Sequence, residues 1–149
     1  MNSRHGVVVS LNISTRKGVN KEPVPEVRLR IDHGIEGDAH AGKWHRQVSL
    51  LAEESIDFMR AKGLDLDPGA FAENITTRGL DLCRLPVGSR LLIGGTELEV
   101  TQIGKKCHQG CAIFQQVGDC IMPREGIFAT VIREGMVRCG DRIEVWAAG

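Results

Sequence analysis

Short strand-like runs, separated by glycine-containing turns, recur along the chain and limit the folds that it can adopt. Residues 89–93 and 96–101 flank the pair Gly94-Gly95, which is the pattern of a β-hairpin. Residues 127–133 and 136–145 flank Glu134-Gly135 and predict a second hairpin. Because closing a sheet removes its exposed edges, the pattern predicts a mainly β domain that forms a closed or nearly closed barrel.

The rest of the chain fits this architecture, with few helices. One short helix is predicted over residues 53–62, with Ile56 and Met59 on one face and Gly63 after its end. Two polar stretches predict loops, residues 14–25 and 34–42. Three further runs predict strands, residues 6–13, 27–31 and 46–51. At 149 residues, the chain from 1 to 149 is expected to form a single domain.

Charge and composition exclude several classes of partner. Nineteen basic and nineteen acidic residues cancel, so we expect no nucleic acid partner, which would select a broad positive field. The absence of Tyr, with two Trp and four Phe, also disfavours base stacking. No apolar run approaches the roughly 20 residues that span a bilayer, and the first residues lack the apolar core of a signal peptide. We therefore expect a cytoplasmic protein without a membrane partner.

The segment from residue 104 to 128 contains three of the five cysteines and is the predicted centre of the chemistry. In a reducing compartment such thiols more often serve metals, reactions or packing than disulfides. Cys107 follows Lys105 and Lys106, whose positive charges would favour the thiolate, so Cys107 is the preferred nucleophile. Cys83 and Cys139 lie in strand-like or connecting runs and are expected to serve packing.

The same segment could also bind a metal. Cys107, Cys111 and Cys120 supply soft thiolate ligands suited to molybdenum or zinc, and His108 adds an imidazole. The set lacks the short Cys-x2-Cys pair of common zinc sites and matches no common iron–sulfur spacing. Apolar residues follow Cys111, so a buried packing thiol is the alternative interpretation of that residue.

A second polar cluster lies between residues 38 and 46. Arginine binds phosphate through two parallel N–H groups, and aspartate can orient a histidine or accept from an N–H of a heterocycle. The cluster therefore predicts a site for a phosphorylated, nitrogen-rich ligand. The alternative interpretation is a solvated loop in which Arg46 caps the end of a strand. Asn74 could contact the same ligand or serve as a turn residue. The members of the cluster are Asp38, His40, Lys43, His45 and Arg46.

Taken in order, several motifs resemble the MOSC domain, the C-terminal domain of molybdenum cofactor sulfurases, here as a small stand-alone protein. Each motif is weak alone, but their number and order carry the resemblance from about Gly34 to Val145. They occupy residues 37–40, 46–51, 69–75, 85–89, Cys107 and residues 135–141. The resemblance implies a β-barrel that binds the molybdenum cofactor (molybdopterin) or carries sulfur to a metal–sulfur centre.

The resemblance also implies roles for individual residues. Cys107, by position and by its basic flank, corresponds to the cysteine that holds the sulfur or the metal, and Cys111 and Cys120 are additional thiols that leave open which one acts. Lys105 and His108 would lie beside the same cofactor. The residues implied to line the pocket for the pterin phosphate are Asp38, His40, Arg46 and Asn74.

The resemblance further restricts the partners. The chain has no room for the pyridoxal-phosphate domain of full-length sulfurases, so we expect sulfur to arrive from a protein donor, or the finished cofactor to be bound for a molybdoenzyme. Two alternatives stay open. The cysteine segment could hold zinc in a structural or regulatory module, or the protein could be the cofactor-binding component of a reductase.

Overall fold

The computed structural model describes residues 4–16, 21–104 and 126–148 of the chain. Within these ranges the backbone forms eleven strands, one α-helix and one 3-10 turn. The helix is α1 (Glu53–Arg60), and the 3-10 turn covers Leu82–Arg84. The strands are β1 (Arg4–Ile13), β2 (Glu22–Val24), β3 (Glu26–Arg30), β4 (Gly34–Ile35), β5 (Val48–Ala52), β6 (Ile75–Arg78), β7 (Arg90–Ile93), β8 (Thr96–Ile103), β9 (Ile127–Arg133), β10 (Gly135–Arg138) and β11 (Arg142–Trp146).

Seven of these strands form a closed barrel. Their order is β11, β7, β8, β9, β5, β6 and β1, and β1 also pairs with β11. Neighbours run antiparallel except β5 and β6, whose parallel pairing requires the longer connection that contains α1. β2 extends the sheet beyond β1, while β10, β3 and β4 form a separate sheet. The predicted mainly β, closed barrel with few short helices is confirmed.

Side-chain alternation along β5 separates the interior of the barrel from its outer face. Val48 and Leu50 belong to the main buried cluster inside the barrel. Leu51 belongs to a second cluster, which it shares with Ile56 and Met59 of α1. Because two faces of the strand are covered, all five residues of β5 are buried. α1 therefore covers part of the outer face of the barrel.

The predicted helix is confirmed, although it ends at Arg60 rather than at Lys62. Ile56 and Met59 are its buried residues, as their spacing predicts. Two acidic residues occupy its first turn and Arg60 its last, which suits the helix dipole at both ends. In the described part of the chain, no helix is both long enough and apolar enough to cross a bilayer.

The first predicted hairpin is confirmed and the second is wrong. β7 and β8 pair around the glycine turn, with Ile93 opposite Thr96. β9 instead pairs with β8 and β5, whereas β10 leaves the barrel and pairs with β3. The glycine signal correctly marks the point where one strand ends and the next begins. β9 cannot also pair with β10, because it already has a barrel strand on each side. Glu134 helps to direct the chain towards β3, since its Oε2 accepts a hydrogen bond from the Ile31 N–H at 3.0 Å.

Two smaller predictions also need correction. The stretches 14–25 and 34–42, predicted as loops, contain the short strands β2 and β4. Cys139 is exposed rather than packed, because it lies in the turn after β10 instead of within a strand. Cys83 is half-buried in the 3-10 turn.

Candidate functional site

A small cavity lies on the outer face of the barrel, beside the paired residues Ser49 of β5 and Phe128 of β9. Its volume is about 40 Å³, which is room for a small polar group rather than for a whole organic molecule. Of the residues predicted to bind a ligand, His40, Arg46 and Asn74 contribute to the wall. The residues that line the cavity are His40, Trp44, Arg46, Ser49, Phe71, Ala72, Asn74 and Phe128.

Arg46 is the cationic side chain in this wall. Its guanidinium carbon lies 4.5 Å from the centre of the Trp44 ring and 5.6 Å from that of Phe128, distances typical of cation–π contacts. Trp44 is itself fixed, because its Nε1–H donates to the His40 carbonyl at 2.9 Å. The Arg46 Nε is buried and has no hydrogen-bond partner among the described residues. An unpaired buried donor costs about 1–3 kcal/mol, so this nitrogen is prepared to donate to an acceptor that binds there.

Asp38 does not line the cavity but pairs with Lys21, a residue that sequence reasoning missed. The Lys21 Nζ lies 2.7 Å from the Asp38 Oδ1, and both side chains are 0% exposed. Asp38 also accepts hydrogen bonds from the backbone N–H groups of Ser14 and His40, each at 3.1 Å. The carboxylate therefore holds the 38–40 turn against the end of β1 while Lys21 compensates its charge.

Lys21 extends this network to the cavity wall. Its Nζ lies 3.3 Å from the Ser14 Oγ and 2.9 Å from the His40 Nδ1, in addition to the Asp38 contact. No local pattern marks this lysine, since it sits in a polar, proline-containing stretch that predicts a loop. Only the folded chain brings it to Asp38.

Asn74, which lines the cavity, ties three strands together. Its Oδ1 accepts from the Ser49 N–H at 3.0 Å and from the Ser49 Oγ at 3.2 Å. Its Nδ2 donates to the Asn12 carbonyl at 3.1 Å. The side chain thus joins β1, β5 and the start of β6, and both of its polar atoms are engaged with protein groups.

Glu73 organises the turn that contributes Phe71 and Ala72 to the cavity wall. Its carboxylate accepts from the N–H groups of Gly69 and Phe71, at 2.9 and 3.2 Å, and from the Thr76 Oγ1 at 2.8 Å. Gly69 has a φ of +90°, and a Cβ there would lie 2.3 Å from the Lys21 carbonyl oxygen. The close approach requires glycine. Ala72, with a φ of +62°, lies in the same turn.

Burial raises the pKa of the Glu73 carboxyl above its usual value, and the hydrogen bonds that it accepts offset part of that rise. The folded protein therefore binds this proton more tightly than the unfolded chain does. Below the unfolded pKa of about 4.3 the contribution of Glu73 to stability is complete, and it is lost as the pH rises through the folded pKa. The variant Glu73→Gln does not titrate and should lack this loss.

Denaturant unfolding of both proteins from acidic to neutral pH measures the effect. The free energy of unfolding of Glu73→Gln, relative to wild type, should increase as the pH rises. Glu144→Gln makes the same carboxyl-to-amide replacement at an exposed position and is the matched control. A constant difference for Glu73→Gln would contradict the pKa shift.

The predicted cysteine segment begins and ends beside the cavity. The Gly104 N–H donates to the Gly126 carbonyl at 2.6 Å, so the chain leaves and re-enters the described structure at one place. The Gln102 side chain links this point to the loop of the cavity, since its Oε1 lies 2.7 Å from the His45 Nε2 and its Nε2 donates to the Gly104 carbonyl at 2.7 Å. Phe128, two residues after Gly126, lines the cavity.

The remaining predicted site residues lie outside the described residues: Lys105, Cys107, His108, Cys111 and Cys120. Residues 4–16, 21–104 and 126–148 contain no group of three or more His, Cys, Asp or Glu side chains that could hold a metal. The described part of the site is thus a cavity with a cationic side chain and aromatic walls, and its described residues form no cluster of metal ligands.

The fold is similar to those of several solved structures. The YuaD protein from Bacillus subtilis superposes with a TM-score of 0.83 at 22% identity over 99% of each chain. YiiM from Geobacillus stearothermophilus gives 0.73 at 21% identity, over 97% of this chain and 76% of that one. YiiM from Escherichia coli gives 0.61 at 22% identity, over 100% and 71%. At these identities the likeness shows the fold.

No curated protein matches the sequence significantly. The model of the MOSC domain matches residues 37–144, which is more than half of the chain. The match includes the polar cluster of residues 38–46, strands β5 to β10 and the first residues of β11. The resemblance seen in the ordered motifs is thereby confirmed, and the chain belongs to the MOSC domain family.

Proposed function

We propose that this protein binds the phosphate of the molybdenum cofactor at the Arg46 cavity and carries sulfur on Cys107. The family is linked to molybdenum cofactor sulfurase-like function, which supports the class of ligand. The observation that carries the proposal is the buried Arg46 Nε, which has no partner among the described residues and lies in the wall of a cavity. An anion with oxygen acceptors is the ligand that such a donor fits.

The charges around the cavity suit an anion. Arg46 is held by contacts with two rings, so little side-chain freedom is lost when its N–H groups bind a phosphate. Asp38 would repel an anion, but its charge is compensated at 2.7 Å by Lys21. In this proposal Asp38 acts through the position of His40, and Asn74 acts by holding Ser49 in the wall.

The size of the cavity limits what enters it. About 40 Å³ is far below the roughly 300 Å³ or more of sites that enclose a whole small molecule. Only a small anionic group would occupy the cavity, and the remainder of the ligand would lie outside it. Gly104 and Gly126, which flank the cysteine segment, are joined to each other by a hydrogen bond, and Phe128, two residues after Gly126, lines the cavity.

Sulfur carriage would use the chain's own thiolate. The Cys107 thiolate, favoured by Lys105 and Lys106, attacks the terminal sulfur of a donor persulfide. The new bond joins the Cys107 sulfur to the transferred sulfur, the donor's sulfur–sulfur bond breaks, and the donor leaves as a thiolate. Cys107 is three residues from Gly104, a separation that a chain spans in at most about 11 Å. When bound, the cofactor supplies a molybdenum ion for which sulfur is a suitable ligand.

Replacing Arg46 with methionine tests the anion site. Charge-assisted hydrogen bonds contribute about 1.5–3 kcal/mol each, so Arg46→Met should weaken the binding of inorganic phosphate about tenfold to hundredfold. Isothermal titration calorimetry measures this, and pterin fluorescence after gentle purification should fall in parallel. Arg46→Lys keeps the positive charge but loses the planar guanidinium, so its phosphate affinity should lie between those of wild type and Arg46→Met.

The matched control is Arg84→Met, which removes an arginine whose side chain is 80% exposed and away from the cavity. Its phosphate affinity should equal that of wild type. Equal phosphate affinity for wild type and Arg46→Met, or pterin retained at wild-type levels by Arg46→Met, would exclude this cavity as the site.

A further inference from the structure

We propose that Lys21 is a positioning residue that fixes the tautomer of His40, so that Nδ1 accepts a hydrogen bond and Nε2 carries the proton. Lys21 is buried and does not line the cavity, whereas His40 does. The lysine would therefore act on a ligand only through the histidine.

The three contacts of Lys21 account for all of its donors. A protonated lysine has three N–H donors and no acceptor. Its Nζ faces the Asp38 Oδ1 at 2.7 Å, the His40 Nδ1 at 2.9 Å and the Ser14 Oγ at 3.3 Å. Three donors thus meet three possible acceptors in a space from which solvent is excluded.

The ion pair decides which partner donates in the contact with His40. A proton on Nδ1 would point at the ammonium, so that two donors would face each other at 2.9 Å. The reverse arrangement needs an uncharged amine on Lys21, which would leave the buried Asp38 carboxylate without its counter-charge. Nδ1 is therefore the acceptor, and a neutral imidazole then has its proton on Nε2.

The backbone of His40 is held from two sides, which keeps the ring in this contact. Its N–H donates to the Asp38 Oδ2 at 3.1 Å, and its carbonyl accepts from the Trp44 Nε1 at 2.9 Å. Trp44 also stacks on Arg46. The tautomer of His40 and the position of Arg46 thus belong to one connected set of contacts.

The consequence is an uncharged histidine beside a cationic arginine in the cavity wall. Arg46 provides the charge, and the His40 ring adds no second positive charge. The effect on a bound oxyanion such as phosphate rests on the proposed function, but the tautomer itself does not and can be measured without a ligand.

Long-range nitrogen–proton NMR of protein labelled with ¹⁵N-histidine, recorded at one neutral pH, tests the proposal. In wild type, His40 should show separate signals for a protonated Nε2 and an unprotonated Nδ1, assigned by their loss in His40→Gln. The double variant Lys21→Met/Asp38→Asn removes the donor and its counter-charge together, and its His40 signals should move to the Nδ1–H form or to a mixture. Ser14→Ala keeps the ion pair and should retain the wild-type pattern.

A proton on Nδ1 in wild type would overturn the proposal, and so would an unchanged tautomer in the double variant. If the double variant does not fold, wild type and Ser14→Ala still test the proposal, because a proton on the His40 Nδ1 in either protein would contradict it. Addition of inorganic phosphate distinguishes the role of Lys21 from the proposed phosphate binding. A confirmed tautomer whose Nε2 signal is unmoved by phosphate would refute phosphate binding at His40 while leaving the role of Lys21 intact.

Discussion

Replacing Asp38 with alanine should lower the free energy of unfolding by about 3–5 kcal/mol, the cost of leaving one member of a buried ion pair without its partner. The Lys21 ammonium would stay in a site where both side chains are 0% exposed. The Ser14 and His40 N–H groups would lose their acceptor as well. A loss of this size is a large fraction of the 5–15 kcal/mol that stabilises a typical domain, and chemical denaturation measures it directly.

Two control proteins isolate the ion pair. Asp81→Ala removes the carboxylate from an exposed pair, in which Arg84 and Asp81 are 80% and 66% exposed, and should leave stability nearly unchanged. Lys21→Met/Asp38→Asn removes both buried charges and should be more stable than Asp38→Ala, because no charge remains unpaired. A loss below about 1 kcal/mol in Asp38→Ala would show that the pair is solvated in solution.

Replacing Cys107 with serine should abolish sulfur loading. After anaerobic purification and incubation with a persulfide donor, wild type should gain the mass of one sulfur atom by intact mass spectrometry. A serine hydroxyl cannot form the persulfide, so Cys107→Ser should gain none. Cys111→Ser and Cys120→Ser establish whether the neighbouring thiols share the role.

The thiols of the described structure provide the matched controls. Cys83 is half-buried and Cys139 is exposed, and both Cys83→Ser and Cys139→Ser should load as wild type does. An undiminished gain in Cys107→Ser, or no gain in wild type, would refute sulfur carriage on this residue. One zinc per chain by elemental analysis, with unfolding on its removal, would instead favour the zinc module.

Local structure was predictable where a short window of sequence contains the whole signal. The β7–β8 hairpin and α1 follow from alternation, a glycine pair and helical spacing, and each was placed to within about two residues. The second hairpin was predicted wrongly, because the turn signal at Glu134 shows that one strand ends and another begins but does not show which strand the new one pairs with. The partner of β10 is β3, which lies far away in sequence.

The candidate site was predictable only in part, for the same reason. The residue types of His40 and Arg46 indicate an anion site, and both line the cavity. Asp38 also looked like a ligand, yet its oxygens are engaged by Lys21 and two backbone N–H groups. Nothing near Lys21 in the sequence predicts a buried charge, because the partner that makes its burial tolerable lies 17 residues away.

The sequence alone determined the helix, the longer strand segments, the barrel and the family, since these depend on local patterns and on the order of motifs. It also selected the cysteine segment, whose residues 105–125 lie outside the described structure. Tertiary structure alone decided that the cavity is on the outer face, that Arg46 contacts the rings of Trp44 and Phe128, and that Lys21 holds Asp38 and His40. These features join residues from different loops and strands, and such contacts exist only after the barrel has closed.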